Sequence, residues 1–317
     1  MPNHALVRVD NLYRYYDRRC AVRDLTFELK KGEILGLLGP NGAGKTSTLQ
    51  MISGNLAPSA GQIRIDGVDL LDEPLKAKGA IGYLPEKPPL YPELTVSEYL
   101  EYCAELHRVP RRKLRTACAE ARERCGLKDS GGRLISNLSK GYQQRVGIAQ
   151  AIVHGPKVVI LDEPTVGLDP IQIREIRALI AELGQGHGVI LSTHILPEVQ
   201  AVCSRVQIIH RGRLVFSDDL AGFSERMQVT SLILECREPP NLKELKAIPD
   251  VEAVEKLAPG RFRLRYAAGT DPVEDIAARA VRGKWGLRAL SPESKSLEQV
   301  FVELTASDEG ALPEAKP

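Results

Sequence analysis

Along the first two-thirds of the chain, short uninterrupted apolar runs alternate with stretches whose apolar residues recur at helical spacing. Ile34–Leu38 reads ILGLL, residues 158–161 read VVIL and residues 189–191 read VIL. Runs without a polar face suit parallel strands covered on both sides. Between the last two, residues 171–183 carry Ile173, Ile176, Leu179, Ile180 and Leu183 on one helical stripe, and Gly184 predicts the helix end. The alternation predicts an α/β core.

The pattern changes twice. From about residue 86 to 138, Thr95, Val96, Ser97 and Glu98 form a capping box, flanked by Leu94 and Tyr99 as a hydrophobic staple. Mixed charges over residues 108–124 then suit solvated helix faces. These features predict a small helical subdomain, about 87–138, inserted into a larger domain spanning 1–221. Beyond residue 222 come a strand near 228–236, a short helix near 242–246, and strands near 251–257 and 261–266 joined by Pro259 and Gly260. A helix near 272–282 and a strand near 287–290 follow. The order βαββαβ predicts a small α+β ferredoxin-like domain over 222–305. Leu297, Val300, Phe301 and Leu304 predict its last helix, and residues 306–317 read as a disordered tail.

Composition narrows the function classes. The formal net charge is +2, so no nucleic acid or anionic surface is demanded as partner. No stretch offers about 18 consecutive apolar residues, so none reads as membrane-spanning. The N-terminus lacks the apolar core of a signal peptide. Six cysteines without CxxC spacing read as reduced thiols of a cytosolic protein.

Chemistry concentrates after two of the apolar runs. Gly39, Pro40, Asn41, Gly42, Ala43, Gly44, Lys45 and Thr46 fit G-x-x-x-x-G-K-[ST], between a strand and a helix. Glycines let backbone N–H groups converge on phosphates, and the helix N-terminus favours the anion. Lys45 is expected to neutralise phosphate oxygens and the Thr46 hydroxyl to ligate Mg²⁺. The run at 158–161 ends in Asp162 and Glu163, read as a Mg²⁺-shell acid and a general base for the attacking water.

Leu138, Ser139, Lys140, Gly141, Tyr142, Gln143 and Gln144 resemble the signature of ABC transporter ATP-binding subunits, usually read LSGGQ. Around it the family's other markers stand in order: Tyr16 as the adenine-stacking aromatic, Glu86 at the Q-loop position, Gly167, Leu168 and Asp169 as the D-loop, and His194 as the switch histidine. Taken alone, Ser139 would read as a helix cap, His194 as a structural histidine and Tyr16 as an ordinary surface or core aromatic. The resemblance covers about residues 5–220 and implies a P-loop NTPase (RecA-like) ABC core. It also implies a head-to-tail pair, as homodimer or with a second ATPase subunit, that sandwiches ATP. One copy would offer residues 39–47, including Ser47, and the other would offer Ser139 and Gly141. A polytopic membrane permease is the implied partner and the cytoplasmic membrane face the implied location.

Lys140 and Tyr142 depart from the usual signature, as in drug, lipid and gliding-type exporters, and Glu86 replaces the usual glutamine. A carboxylate there still offers Mg²⁺ an oxygen but adds negative charge beside the phosphates. In the C-terminal part, Arg261, Arg263 and Arg265 alternate with Phe262, Leu264 and Tyr266, predicting one solvated basic strand face; no RRM-type run is present. Two other readings stay open: a soluble ABC ATPase of translation or DNA metabolism, and a regulator that hydrolyses too slowly to drive transport.

Overall fold

The computed structural model describes residues 5–226, 231–267 and 269–293. The helix expected at Leu297, Val300, Phe301 and Leu304 and the tail at 306–317 lie outside them. Two compact units are present, residues 1–220 and 221–317.

In the first unit, β1 (Ala5–Tyr16) and β2 (Arg19–Lys30) form a long antiparallel hairpin. Next come β3 (Ile34–Leu38), α1 (Lys45–Ile52), β4 (Ala60–Ile65), β5 (Val68–Asp69), α2 (Pro74–Lys78) and β6 (Ile81–Leu84). The helical insertion holds α3 (Val96–Leu106) and α4 (Arg111–Arg124). Then follow α5 (Lys140–Ile152), β7 (Val158–Asp162), α6 (Pro170–Gly186), β8 (Gly188–Thr193), α7 (Leu196–Val202), β9 (Arg205–His210) and β10 (Arg213–Asp219). One sheet has the order β2-β1-β4-β5, and the other β10-β9-β3-β8-β7-β6. In the second sheet β3, β6, β7, β8 and β9 run parallel, and only the edge pair β9–β10 is antiparallel. Every residue of β3, β7 and β8 is buried, as their apolar runs require.

Val7, Val9, Leu25 and Leu29 of the hairpin share one core with Leu35, Leu37, Leu49, Ile160 and Ile190. Close approach needs small residues: a Cβ at Gly36 would meet Cys203 Sγ at 2.9 Å and Val199 Cγ1 at 3.0 Å, so α7 packs tightly on β3. The capping box at Thr95 and Glu98 is formed in full. Gly184 does not end α6. It keeps helical geometry, and a Cβ there would meet Ile34 Cδ1 at 2.5 Å, so this glycine serves packing and the helix runs on to Gly186.

The second unit holds β11 (Ser231–Cys236), α9 (Leu242–Lys246), β12 (Val251–Ala258), β13 (Arg261–Tyr266), α10 (Val273–Arg282) and β14 (Leu287–Pro292), preceded by α8 (Leu220–Arg226). All its pairings are antiparallel, in the order β12-β13-β11-β14, the split βαβ arrangement. Phe262 and Leu264 point into its core. The opposite face of β13 is not a bare solvated basic strip. Arg261 pairs with Glu235 at 3.2 Å, and Arg263 with Glu255 at 2.8 Å and Glu293 at 2.6 Å. The neighbouring segments bring acids to Arg261 and Arg263, which a single strand's alternation does not show.

Candidate functional site

The loop after β3 and the ends of β6, β7 and β8 open on a cavity of about 550 Å³. Tyr16, Pro40, Asn41, Gly42, Gly44, Lys45, Thr46, Ser47, Glu86, Glu163 and His194 line it, together with Arg19, Ala21 and Val166. Clefts at the carboxyl ends of parallel strands are where α/β sheets take ligands.

The phosphate loop depends on glycine at two tight points. A Cβ at Gly39 would lie 2.5 Å from the Ile209 carbonyl oxygen. Gly44 has φ 109 and stands where a Cβ would be 2.6 Å from the Ala21 carbonyl oxygen. Ala43 is buried behind the lining, its N–H donating to the Pro40 carbonyl. Lys45 Nζ donates to the Gly39 carbonyl at 2.7 Å and the Pro40 carbonyl at 3.3 Å, and lies 3.4 Å from Glu163 Oε1.

Glu163 leaves β7 in the left-handed region, φ 49, a conformation that costs a bulky side chain about 1–3 kcal/mol. Its amide donates to the Ser192 carbonyl of β8 at 3.0 Å, and its Oε2 accepts from His194 Nδ1 at 2.9 Å. One buried carboxylate therefore meets the loop lysine and the strand-end histidine together.

Asp162 is fully buried, and both carboxylate oxygens lack a hydrogen-bond partner. Burial pushes its carboxyl above the usual range, while the nearby hydroxyls of Ser192 and Thr46 pull it back down. Buried, unpaired oxygens beside a threonine hydroxyl fit a hard divalent cation, so Thr46, Asp162 and the cavity-lining Glu86 would hold Mg²⁺.

Tyr16, 41% exposed, is the aromatic of the lining. Its hydroxyl lies 3.3 Å from Ser47 Oγ, and the Arg14 guanidinium stacks on its ring at 4.7 Å. Arg19 and Ala21 went unread in the sequence. The signal was available, because Tyr16 and Arg19 face each other across a two-residue turn.

Ser139, Gly141 and Asp169 do not join this cavity. Ser139 caps α5, accepting from the Tyr142 amide at 3.4 Å. Asp169 caps α6, accepting from the amides of Ile171 and Gln172, each at 2.9 Å. The two caps are neighbours: a Cβ at Gly141 would meet Gln172 Cδ at 2.5 Å, and one at Gly167 would meet Lys140 Nζ at 2.0 Å.

The sequence profile of the ABC transporter family matches residues 22–166. The linearmycin resistance ATP-binding protein LnrL of Bacillus subtilis (strain 168) is 31% identical over 305 residues, 95% of this chain and 98% of that one. The chain belongs to the ABC transporter ATP-binding proteins. The bacitracin transport ATP-binding protein BcrA of Bacillus licheniformis is 37% identical over 212 residues, 66% of this chain and 68% of that one. Among solved structures, the dimeric post-hydrolysis state of the ATP-binding cassette MJ0796 bound to ADP and Pi superposes with a TM-score of 0.62. It is 25% identical and covers 68% of this chain and 98% of that chain. An ABC transporter ATP-binding subunit binds ATP, and the family implies its hydrolysis.

Proposed function

We propose that this chain drives export through a separate polytopic permease, bound at the cytoplasmic membrane face and working as a homodimer or beside a second ATPase subunit. The observation that carries the reading is the convergence of Lys45 and His194 on Glu163 beside the phosphate loop. Triphosphate would take over the Lys45 ammonium, leaving Glu163 to accept a proton from the attacking water while His194 orients the carboxylate. Mg²⁺, held by Thr46, Asp162 and Glu86, would supply charge neutralisation on the phosphate oxygens. The caps at Ser139 and Asp169 lie outside the chain's own cavity, which suits their facing a partner's nucleotide. Amides at the tip of α5 favour an anion by about 0.3–2 kcal/mol.

Among the described residues no helix is long and apolar enough to cross a membrane, so in this reading the transport path comes from another chain. Export is favoured by LnrL, a resistance protein, and by the exporter-like signature at Lys140 and Tyr142. The loop and helix around residues 87–99 offer the permease an aromatic surface. There Tyr91 packs edge-on against Tyr99 at 6.0 Å and Tyr102 at 5.7 Å, and Tyr91 and Tyr102 stay exposed.

The test is affinity purification from membranes, identification of the polytopic protein retained, and ATP-driven uptake by inverted vesicles containing both. Uptake lost in Glu163→Gln supports the reading. A chain that purifies instead with ribosomes or DNA, or whose turnover no permease alters, overturns it.

A further inference from the structure

One buried carboxylate stands outside the cavity with no part in the scheme above. Glu198, in the first turn of α7, is 1% exposed and joins no ion pair among the described residues. Its Oε2 accepts from Thr193 Oγ1 at 2.7 Å, and its Oε1 accepts from Thr165 Oγ1. Both threonines are buried. Thr165 lies two residues past Glu163, and Thr193 directly precedes His194. A carboxylate in a first helical turn ordinarily serves the helix's own N–H groups. Here the oxygens reach two side chains from different strand exits instead, and the amide of Ile195 is taken by Thr193 Oγ1 at 3.1 Å.

Removing a carboxylate from water costs several kcal/mol, and an apolar side chain would fill the same space without that penalty. The arrangement is therefore poor as packing and informative as geometry. β7 and β8 are adjacent parallel strands, with Asp162 opposite Ser192. One more backbone bond follows, from the Glu163 amide to the Ser192 carbonyl at 3.0 Å, and beyond it no backbone bond among the described residues joins the two segments. Glu198 ties them together one residue before His194 and two after Glu163.

We propose that Glu198 is the positioning residue that holds the Glu163 and His194 segments at hydrolytic spacing. The proposal rests on the ATPase reading above. It sets the relation between the two groups that act on water, whereas the phosphate loop leaves a different strand. Misplacement by about 1 Å costs on the order of a hundredfold in rate, so loss of the clamp shows in kcat rather than in nucleotide affinity.

The experiment compares the full chain with Glu198→Leu, Glu198→Gln and Val199→Ala, the last a loss of packing in the same helix. Expected for Glu198→Leu are kcat reduced at least tenfold, KM for ATP within about twofold, and recovery of most of the rate in Glu198→Gln, which keeps one acceptor. Val199→Ala is expected to lower thermal stability while keeping kcat. A second readout needs no turnover: ¹⁵N-histidine spectra, assigned with His194→Gln, report whether His194 keeps its proton on Nδ1. Glu198→Leu should shift that signal toward free imidazole. A folded Glu198→Leu chain with unchanged kcat and an unchanged His194 spectrum overturns the proposal. A wild type without turnover whose His194 signal still depends on Glu198 removes the ATPase reading and leaves the clamp standing.

Discussion

His194 Nδ1 lies 2.9 Å from Oε2 of Glu163, while Oε1 of the same carboxylate faces the Lys45 ammonium at 3.4 Å. Three segments far apart in the chain thus meet on one buried acid, and the backbone of that acid sits in a left-handed turn. Replacing it without changing its shape isolates its chemistry. Glu163→Gln is expected to lower turnover about 10²–10⁴-fold while ATP binding persists, as phosphate release and fluorescence titration would show. Equal loss of binding would assign Glu163 to gripping nucleotide instead.

Lys45→Ala should lower ATP affinity at least tenfold, because a charged hydrogen bond is worth about 1.5–3 kcal/mol. It also strips a cation from a carboxylate that is only 7% exposed. Thermal stability should therefore fall in Lys45→Ala and return in Lys45→Ala with Glu163→Gln, while affinity stays low. Melting curves with and without ATP separate the two effects.

Gly141 faces Gln172 across the two capped helices, with a Cβ there 2.5 Å from Gln172 Cδ. Gly141→Ala should cost about 1–3 kcal/mol through this overlap. Adding Gln172→Ala removes the obstacle, and the helix then gains about 0.5–1 kcal/mol from losing a glycine. Urea unfolding of the double variant should match or exceed wild type.

His154 stacks on His107 with centroids 3.7 Å apart, and its Nε2 donates to the Ile81 carbonyl at 3.0 Å. Burial, aided by His107, depresses its pKa to about 4, and burial lowers that of His107 too. The unfolded chain, with a histidine near 6.5, binds a proton that the folded chain refuses between pH 6.5 and 4. This neutral contact is therefore fully present above about pH 6.5 and fades as pH falls toward 4, by about 3 kcal/mol in all. Urea midpoints measured from pH 7.5 to 4 should fall more steeply in wild type than in His154→Gln. Parallel curves would refute the assignment.

Leu264 is fully buried in the core of the second unit. Leu264→Ala should destabilise that unit by about 2–5 kcal/mol and leave ATP affinity within twofold, read by circular dichroism and nucleotide titration.

Local signals explain what was legible beforehand. The phosphate loop, the apolar strands at Ile34–Leu38 and Val158–Asp162, the box at Thr95 and Glu98, and the alternation in Arg261–Tyr266 are all written within a few residues. Gly184 misled because a glycine at a helix end and a glycine under a crossing side chain look alike in sequence; Ile34 decides which it is. Arg261 and Arg263 read as a basic face until adjacent strands supplied Glu235, Glu255 and Glu293.

Alone, the sequence determined that this chain carries a nucleotide-phosphate loop and the ordered ABC markers, since a glycine loop offers its own backbone amides and a strand end its own carboxylates, both written within a few residues. Only the tertiary structure decided what Glu163 touches and that Glu198 ties two strand exits together. Those relations follow from β7 lying beside β8, and strand order is set by burial of the whole sheet rather than by any local run of residues.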